Sequence, residues 1–374
     1  RAGLEKELDG ILMGWQYPGE SVIGRIQHLL SSPRLGYSVT TTIDLPLQET
    51  VERVFKGRKG AAVVMEVKTG RILAVASMPG FNPNDIEAKW SVISTDTNSP
   101  LYNRAIAGFY PPGSTFKMIV LAAGLASGTV QLETRFEDPG KITVEGHEIV
   151  NAGSKAWGQI SLLDALAVSS NTVFVKTAQL IGSEALLHMA SSFGLGKMPS
   201  LVGGNPLAGK LPTGKLSSLE LAQMAMGQYG LATTPLQMAM VVQTVANDGL
   251  MMVPILVETI HGPGNGDVWT NRPSPARHVI SPQVARQIRE AMSEAVRRGT
   301  GQKAFLSIIE VAGKTGSAEN PQGPAHAWFV GMAPVTKPVI CLAVVVENGG
   351  SGGTVAAPLA GEIFQAYFTG NPLD

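Results

Sequence analysis

Along this chain the apolar positions change spacing twice, from strand-like runs to helical periodicity and back. Ahead of that pattern, from Arg1 to about Leu30, Leu4, Leu8, Leu12 and Met13 share one side of a predicted helix, which "QYPGES" interrupts. "YSVTTTIDLPLQETVERVFKG" then predicts a strand that turns at Pro46 into a helix, with Leu47, Val51, Val54 and Phe55 on one face. Two β-rich runs in "AAVVMEVKTGRILAVASMPG" flank "VKTGR", the pattern of a hairpin closed by a glycine-containing turn. Lys68-Thr69-Gly70 is then a turn whose glycine supplies backbone freedom and whose lysine points to water.

Helical spacing takes over in "STFKMIVLAAGLASG", "SLLDALAVSS", "NTVFVKTAQLIG", "SSLELAQMAMGQYG" and "TPLQMAMVVQTVANDG", with a cap at Ser161 supported by Asp164 and stops at Gly128 and Gly249. "IIEVAGKTGSAE", "HAWFVGMAP" and "VICLAVVVEN" return to strand character with short connections, an antiparallel meander that the helix "APLAGEIFQAYF" can cover. The expected fold is α+β: an antiparallel sheet built from N- and C-terminal strands, flanked by helices, around an inserted all-helical subdomain spanning about residues 100–255. The second Lys-Thr-Gly, Lys314-Thr315-Gly316, falls in a strand.

Composition narrows the function. With 374 residues, 44% of them hydrophobic and 16% charged, the chain can bury an ordinary core. Its 29 basic and 29 acidic residues cancel without a basic cluster, which argues against nucleic acid as a partner. Cys341 sits in an apolar run and reads as a small buried strand residue. The apolar runs fall short of the roughly 18 residues of a membrane span. The start at Arg1 instead of Met leads us to expect that an N-terminal portion, with a signal or anchor, has been removed.

The most informative stretch is "FYPPGSTFKMIVLAAGLASG". Pro111-Pro112-Gly113 stops the preceding chain, and Ser114 opens a helix that is apolar nearly all round. Ser114 and Lys117 lie one turn apart on the same face. A serine hydroxyl needs an adjacent base to become a nucleophile, and a lysine among Phe116, Met118, Ile119 and Val120 is desolvated enough to serve. Taken singly, the bland alternatives stand: Ser114 as an N-cap with Lys117 snorkelling, Ser169-Ser170-Asn171 as a polar helix junction, and Lys314 as the protective lysine of an edge strand.

Together and in this order, Ser-x-x-Lys, Ser-x-Asn and Lys-Thr-Gly resemble the serine penicillin-recognising enzymes. With "TTIDLPLQ", "GRILAVASMPGFNPN", "NRAIAGFYPPGSTFK", "TPLQMAMVVQTVANDG" and "HAWFVGMAP", the chain from Tyr37 on is similar to the transpeptidase domain of class B penicillin-binding proteins. The resemblance implies a peptidoglycan D,D-transpeptidase domain at 37–374, preceded at 1–36 by the end of a pedestal domain or linker. It further implies a location on the extracytoplasmic face of the bacterial cytoplasmic membrane, anchored by an N-terminal segment outside this chain. The implied partners are peptidoglycan stem peptides, β-lactam antibiotics and a membrane glycosyltransferase, with no cofactor and no metal. By residue, it implies that Ser114 attacks the carbonyl of the penultimate D-alanine and Lys117 takes its proton. Ser169 relays a proton to the leaving D-alanine, and Asn171 holds Lys117 and the substrate amide. Lys314 and Thr315 bind the terminal carboxylate, and Gly316 lets the acyl chain lie close to the strand. The backbone N–H groups of Ser114 and Ser317 form the oxyanion hole. Ser317 stands where threonine is more usual.

Competing motifs are weaker. Gly313-Lys314-Thr315 imitates the end of a phosphate-binding loop, but Ile308 occupies the position that needs glycine. Gly349-Gly350-Ser351-Gly352-Gly353 matches a nucleophile elbow, yet no histidine follows His326, and the site-adjacent turn is the better account. No His-Glu-x-x-His occurs among the six histidines, and His326 reads as structural. Within the superfamily the alternatives are a β-lactamase, a β-lactam sensor or a D,D-carboxypeptidase. For the first, Glu184-Ala-Leu-Leu-His188 is only a near miss to the deacylating element.

Overall fold

A computed structural model describes residues 3–19, 21–30, 35–264, 266–321 and 323–370. Its centre is a five-stranded antiparallel sheet in the order Ala312–Asn320, Gly323–Ala333, Ile340–Val346, Gly60–Glu66, Ile72–Met78. The hairpin from early in the chain and the meander from its end meet where Ile340–Val346 pairs with Gly60–Glu66, Ala343 opposite Val63. The sheet is covered on both sides, so its central strands carry unbroken apolar runs, such as residues 61–65 and Ile340–Val346, instead of alternating. Successive residues feed opposite cores: Ala61, Val63, Met65, Cys341, Ala343 and Val345 face one, Ala62, Val64, Leu342, Val344 and Val346 the other. The second core is closed by Leu45–Val54 and Ala357–Thr369, the first by Pro235–Ala246 and its neighbours.

The Leu45–Val54 helix starts as expected, with the Asp44 side chain accepting from the Leu47 N–H at 3.0 Å. Ser161 likewise caps Leu162–Ala167 by accepting from the Asp164 N–H at 3.1 Å. Thr234 with Gln237 and Ser217 with Glu220 form full capping boxes ahead of Pro235–Ala246 and Ser218–Ala225.

The inserted region is not all helical. It carries two short ladders, Arg135–Asp138 with Gly158–Ser161 and Lys141–Val144 with His147–Val150. The second is closed by Glu145 and Gly146, both at positive φ, the geometry of a two-residue hairpin turn. Beyond it the chain forms a three-stranded sheet of Ser38–Thr41, Val257–His261 and Asp267–Thr270, against which Leu8 from the N-terminal segment packs with Tyr37 and Ile260. A helix absent from the pattern reading, Pro282–Arg297, is capped by Ser281 and buries Val284, Ile288, Met292 and Val296 behind the Ala312–Asn320 strand.

Candidate active site

Ser114 lies in a 3-10 turn, Gly113–Phe116, from which the buried helix Lys117–Ala126 continues. This differs from a helix opened and capped by Ser114: neither helical piece takes a side-chain cap from it. The turn is pinned from several directions. The Trp328 indole donates to the Pro111 carbonyl at 3.0 Å, the Thr115 hydroxyl to the Pro112 carbonyl at 2.6 Å, and the Gly113 N–H to the Gly227 carbonyl at 3.0 Å. Gly113 is held at φ +55° with its α-carbon facing the Ser317 backbone, so the serine turn is pressed against the Lys314 strand. Ser114 itself is half-buried.

Lys117 does not snorkel; its side chain is 0% exposed. Its ammonium donates to the Ser169 carbonyl at 2.7 Å, to Asn171 Oδ1 at 2.7 Å and to Ser169 Oγ at 3.3 Å. Burial first, and Lys314 second, push Lys117 well below the ordinary lysine range, while Asp138 pulls the other way. Lys314, also fully buried, reaches the same serine: its Nζ donates to Ser169 Oγ at 2.9 Å and to the Thr315 carbonyl at 2.9 Å. Burial lowers its pKa to about 7. Ser169 thus joins the two lysines, and its φ of +62° is a left-handed conformation that the surrounding bonds must hold.

The capping reading of Ser169-Ser170-Asn171 is half right. Ser170 caps Asn171–Ile181 by accepting from the Val173 N–H at 3.2 Å, which leaves Ser169 and Asn171 free to face Lys117.

Lys314-Thr315-Gly316 does occupy an edge strand, but Lys314 points inward instead of protecting the edge. Gly316 requires a correction. A Cβ there would lie 3.0 Å from the Pro112 carbonyl oxygen, 3.1 Å from Thr115 Cγ2 and 3.2 Å from Trp328 Cβ. The space that Gly316 keeps clear is filled by the protein's own serine turn, not by an approaching ligand. Thr315 pairs its hydroxyl with that of Thr300 at 2.6 Å, and Ser317 Oγ accepts from the Gly352 N–H at 3.2 Å. The glycine-rich turn at 349–353 is therefore a neighbour of the strand: any side chain at Gly352 would collide with the Gly316 and Trp328 carbonyls. Ser351 is not presented as a nucleophile on an elbow, and Glu184 is an exposed residue in the first turn of Ser183–Ser192.

Three polar residues join the site that no motif announced. Thr300, in "RRGTGQ", reads in sequence as a helix end. Asp138, in "EDPGK", reads as a turn, and Asn151 as a loop residue. Yet the buried Asp138 carboxylate accepts from Gly140 N–H, Asn151 Nδ2, Ser170 Oγ and Thr172 Oγ1, while Asn151 Oδ1 accepts from the N–H groups of Asn171 and Thr172. Such partners lie too far apart in the chain for any local pattern to reveal.

The arrangement is a half-buried serine one turn from a buried lysine, which a second serine links to a second buried lysine on an edge strand. Residues 60–365 match the penicillin binding protein transpeptidase domain. The chain belongs to the penicillin-binding protein transpeptidase family. The peptidoglycan D,D-transpeptidase PbpA of Mycolicibacterium smegmatis is 36% identical over 96% of this penicillin-binding chain and 77% of its own length. The structure of the imipenem acyl-enzyme complex of penicillin-binding protein A from M. tuberculosis superposes with a TM-score of 0.88 at 32% identity, over 98% of this chain and 87% of that one. The D,D-transpeptidase domain of a peptidoglycan glycosyltransferase from Eggerthella lenta gives a TM-score of 0.86 at 30% identity, over 98% of this chain and 87% of that one.

Proposed function

We propose that this chain is a serine D,D-transpeptidase that cross-links peptidoglycan through an acyl-enzyme on Ser114 and is inhibited when β-lactams acylate the same hydroxyl. The observation that carries this reading is the pair of buried lysines sharing Ser169 beside Ser114, at 2.9 Å from Lys314 and 3.3 Å from Lys117. In the reaction, Ser114 Oγ attacks the carbonyl of the penultimate D-alanine and its proton passes to Lys117, whose burial favours the neutral base. The tetrahedral oxyanion is received by the N–H groups of Ser114 and Ser317, worth about 2.7–4 kcal/mol per donor in comparable sites. Collapse breaks the peptide bond, and the departing D-alanine amine takes the proton by way of Ser169, which Lys314 serves from its other side. An acceptor amine then attacks the Ser114 ester, forms the cross-link and returns the hydroxyl.

Asn171 keeps Lys117 in place and offers its amide to the stem peptide. Thr315, Ser317 and Lys314 meet the terminal carboxylate, with Thr300 orienting the Thr315 hydroxyl. The edge strand Ala312–Asn320 has a free side on which an extended peptide can add as a further strand. Residues 37–374 form the catalytic unit and 1–36 the end of a pedestal or linker. The enzyme works at the extracytoplasmic face of the bacterial cytoplasmic membrane together with a membrane glycosyltransferase; the link to glycosyltransfer is supported by the Eggerthella relative, whose D,D-transpeptidase domain belongs to a peptidoglycan glycosyltransferase.

Intact-protein mass spectrometry over hours of incubation with benzylpenicillin, with peptide mapping, tests this. A stable one-to-one adduct on Ser114, absent from Ser114→Ala, is expected. Rapid clearance of the adduct with hydrolysed drug in solution would make the chain a β-lactamase, and failure of any adduct to form would refute the catalytic reading.

A further inference from the structure

The turn that carries Ser169 and Asn171 does not hold itself. Ser169 sits at φ +62°, and its local support is limited to backbone bonds, from the Ser169 N–H to the Leu166 carbonyl at 3.2 Å and from the Ser170 N–H to the Ala165 carbonyl at 2.9 Å, and the Ser170 cap of the following helix. Beyond the two lysines that bond Ser169, further restraints come from the two ladders that interrupt the helical region. Asp138, 0% exposed at the end of its strand, takes 2.6 Å and 2.8 Å hydrogen bonds from Ser170 Oγ and Thr172 Oγ1. Asn151 bridges, donating to Asp138 at 2.8 Å and accepting from the Asn171 and Thr172 N–H groups at 2.8 Å and 3.1 Å. The Val150 carbonyl accepts from Asn171 Nδ2 at 2.7 Å, which fixes the amide so that its oxygen faces Lys117. Asp138 is also the acidic group that acts on Lys117, opposite Lys314.

We propose that Asp138, working through Asn151, is a positioning residue for acylation: it locks the Ser169–Asn171 turn in register and supplies a negative charge that acts on the buried Lys117. Removing it loosens the turn and leaves Lys314 as the charge acting on Lys117, so that Lys117 loses its proton at lower pH. This inference rests on Ser114 being the acylated serine.

The test is the second-order rate of acylation of the whole chain by a fluorescent penicillin between pH 5 and 9, for the parent, Asp138→Asn and Thr172→Val. For Asp138→Asn we expect a plateau rate lower by about 10-fold to 100-fold, the cost of misplacing a reacting group, and an acid limb displaced to lower pH. Thr172→Val, which removes one donor and keeps the charge, should lose only a few-fold with its acid limb unmoved. Asp138→Asn with the parent's rate and limb overturns the proposal, and so does a loss that is uniform at every pH, because packing alone would produce it. If Asp138→Asn does not fold, Thr172→Val decides the positioning part, and parent-like rates there overturn it. Failure of the parent to label Ser114 would reject the underlying function instead.

Discussion

Lys-Thr-Gly occurs twice in this protein, and the two copies share nothing but their letters. At the hairpin turn, Lys68 is exposed and donates to Asn247 Oδ1 at 2.9 Å, a surface bond to the end of a helix instead of to water alone. Thr69 donates to Glu66, and Gly70 bends the chain at φ +77°. In the edge strand, Lys314 is fully buried against Ser169, Thr315 pairs with Thr300, and Gly316 is extended. One glycine is needed for its conformation, the other for the absence of a Cβ beside the serine turn. Chemistry follows burial and neighbours, which the tripeptide does not encode.

The largest effect should separate the lysines. Lys314→Ala removes one side of the proposed Ser169 relay, and loss of a positioned proton-transfer group costs about 10²–10⁴-fold. We expect acylation by a fluorescent penicillin to fall at least a hundredfold, while Lys68→Ala acylates at the parent rate. Equal losses in both variants would mean that the first copy also reaches the site.

The glycines should separate rate from stability. Gly316→Val pushes the Pro112–Thr115 turn off the strand, and a displacement of about 1 Å can cost 10²-fold, so we expect slower acylation in a protein that still folds. Gly70→Ala meets a left-handed backbone worth about 1–2 kcal/mol and a Val253 carbonyl 2.6 Å from the new Cβ. Its urea midpoint should drop with the acylation rate of the folded enzyme unchanged. The opposite assignment of the two defects would undo the distinction between conformation and space.

Why one copy was readable as a strand and the other as a turn is local: "VKTGR" lies between two β-rich runs, whereas the second copy continues a single extended stretch, "IIEVAGKTGSAE". The sheet was legible for the same reason, since "VICLAVVV" and "AAVVMEV" announce strands buried on both faces. The ladders at 135–161 were not, because four-residue strands such as Lys141–Val144 expose half their side chains and carry no apolar run. Pro282–Arg297 was legible in principle, with Val284, Ile288, Met292 and Val296 on one face behind a Ser-Pro start. At the site, the sequence pointed to Ser114, Lys117, Ser169, Asn171 and Lys314, whose spacing a motif records. It did not point to Asp138, Asn151 or Thr300, whose partners are brought to them by the fold, nor to the true neighbour of Gly316, which is the serine turn.

The difference between the copies also bears on the pH dependence of stability. Lys314 has a folded pKa of about 7, below its ordinary value of 10.5, because burial disfavours the charge. Below about 7 both folded and unfolded chains hold the proton, and folding bears the full cost of burying it. Between about 7 and 10.5 the unfolded chain alone holds it, so stability rises with pH by at most about 1.4 kcal/mol per unit from this group. Above that range the cost is gone. Urea midpoints at intervals from pH 6.5 to 9.5 should therefore rise in the parent and rise less in Lys314→Met. Lys117, lowered by burial and by Lys314, contributes in the same direction and keeps the slope from vanishing. Lys68→Met should leave the slope as it was. A Lys314→Met profile parallel to the parent's would show that the strand lysine is not held near neutrality, and the contrast between the two copies would then rest on position alone.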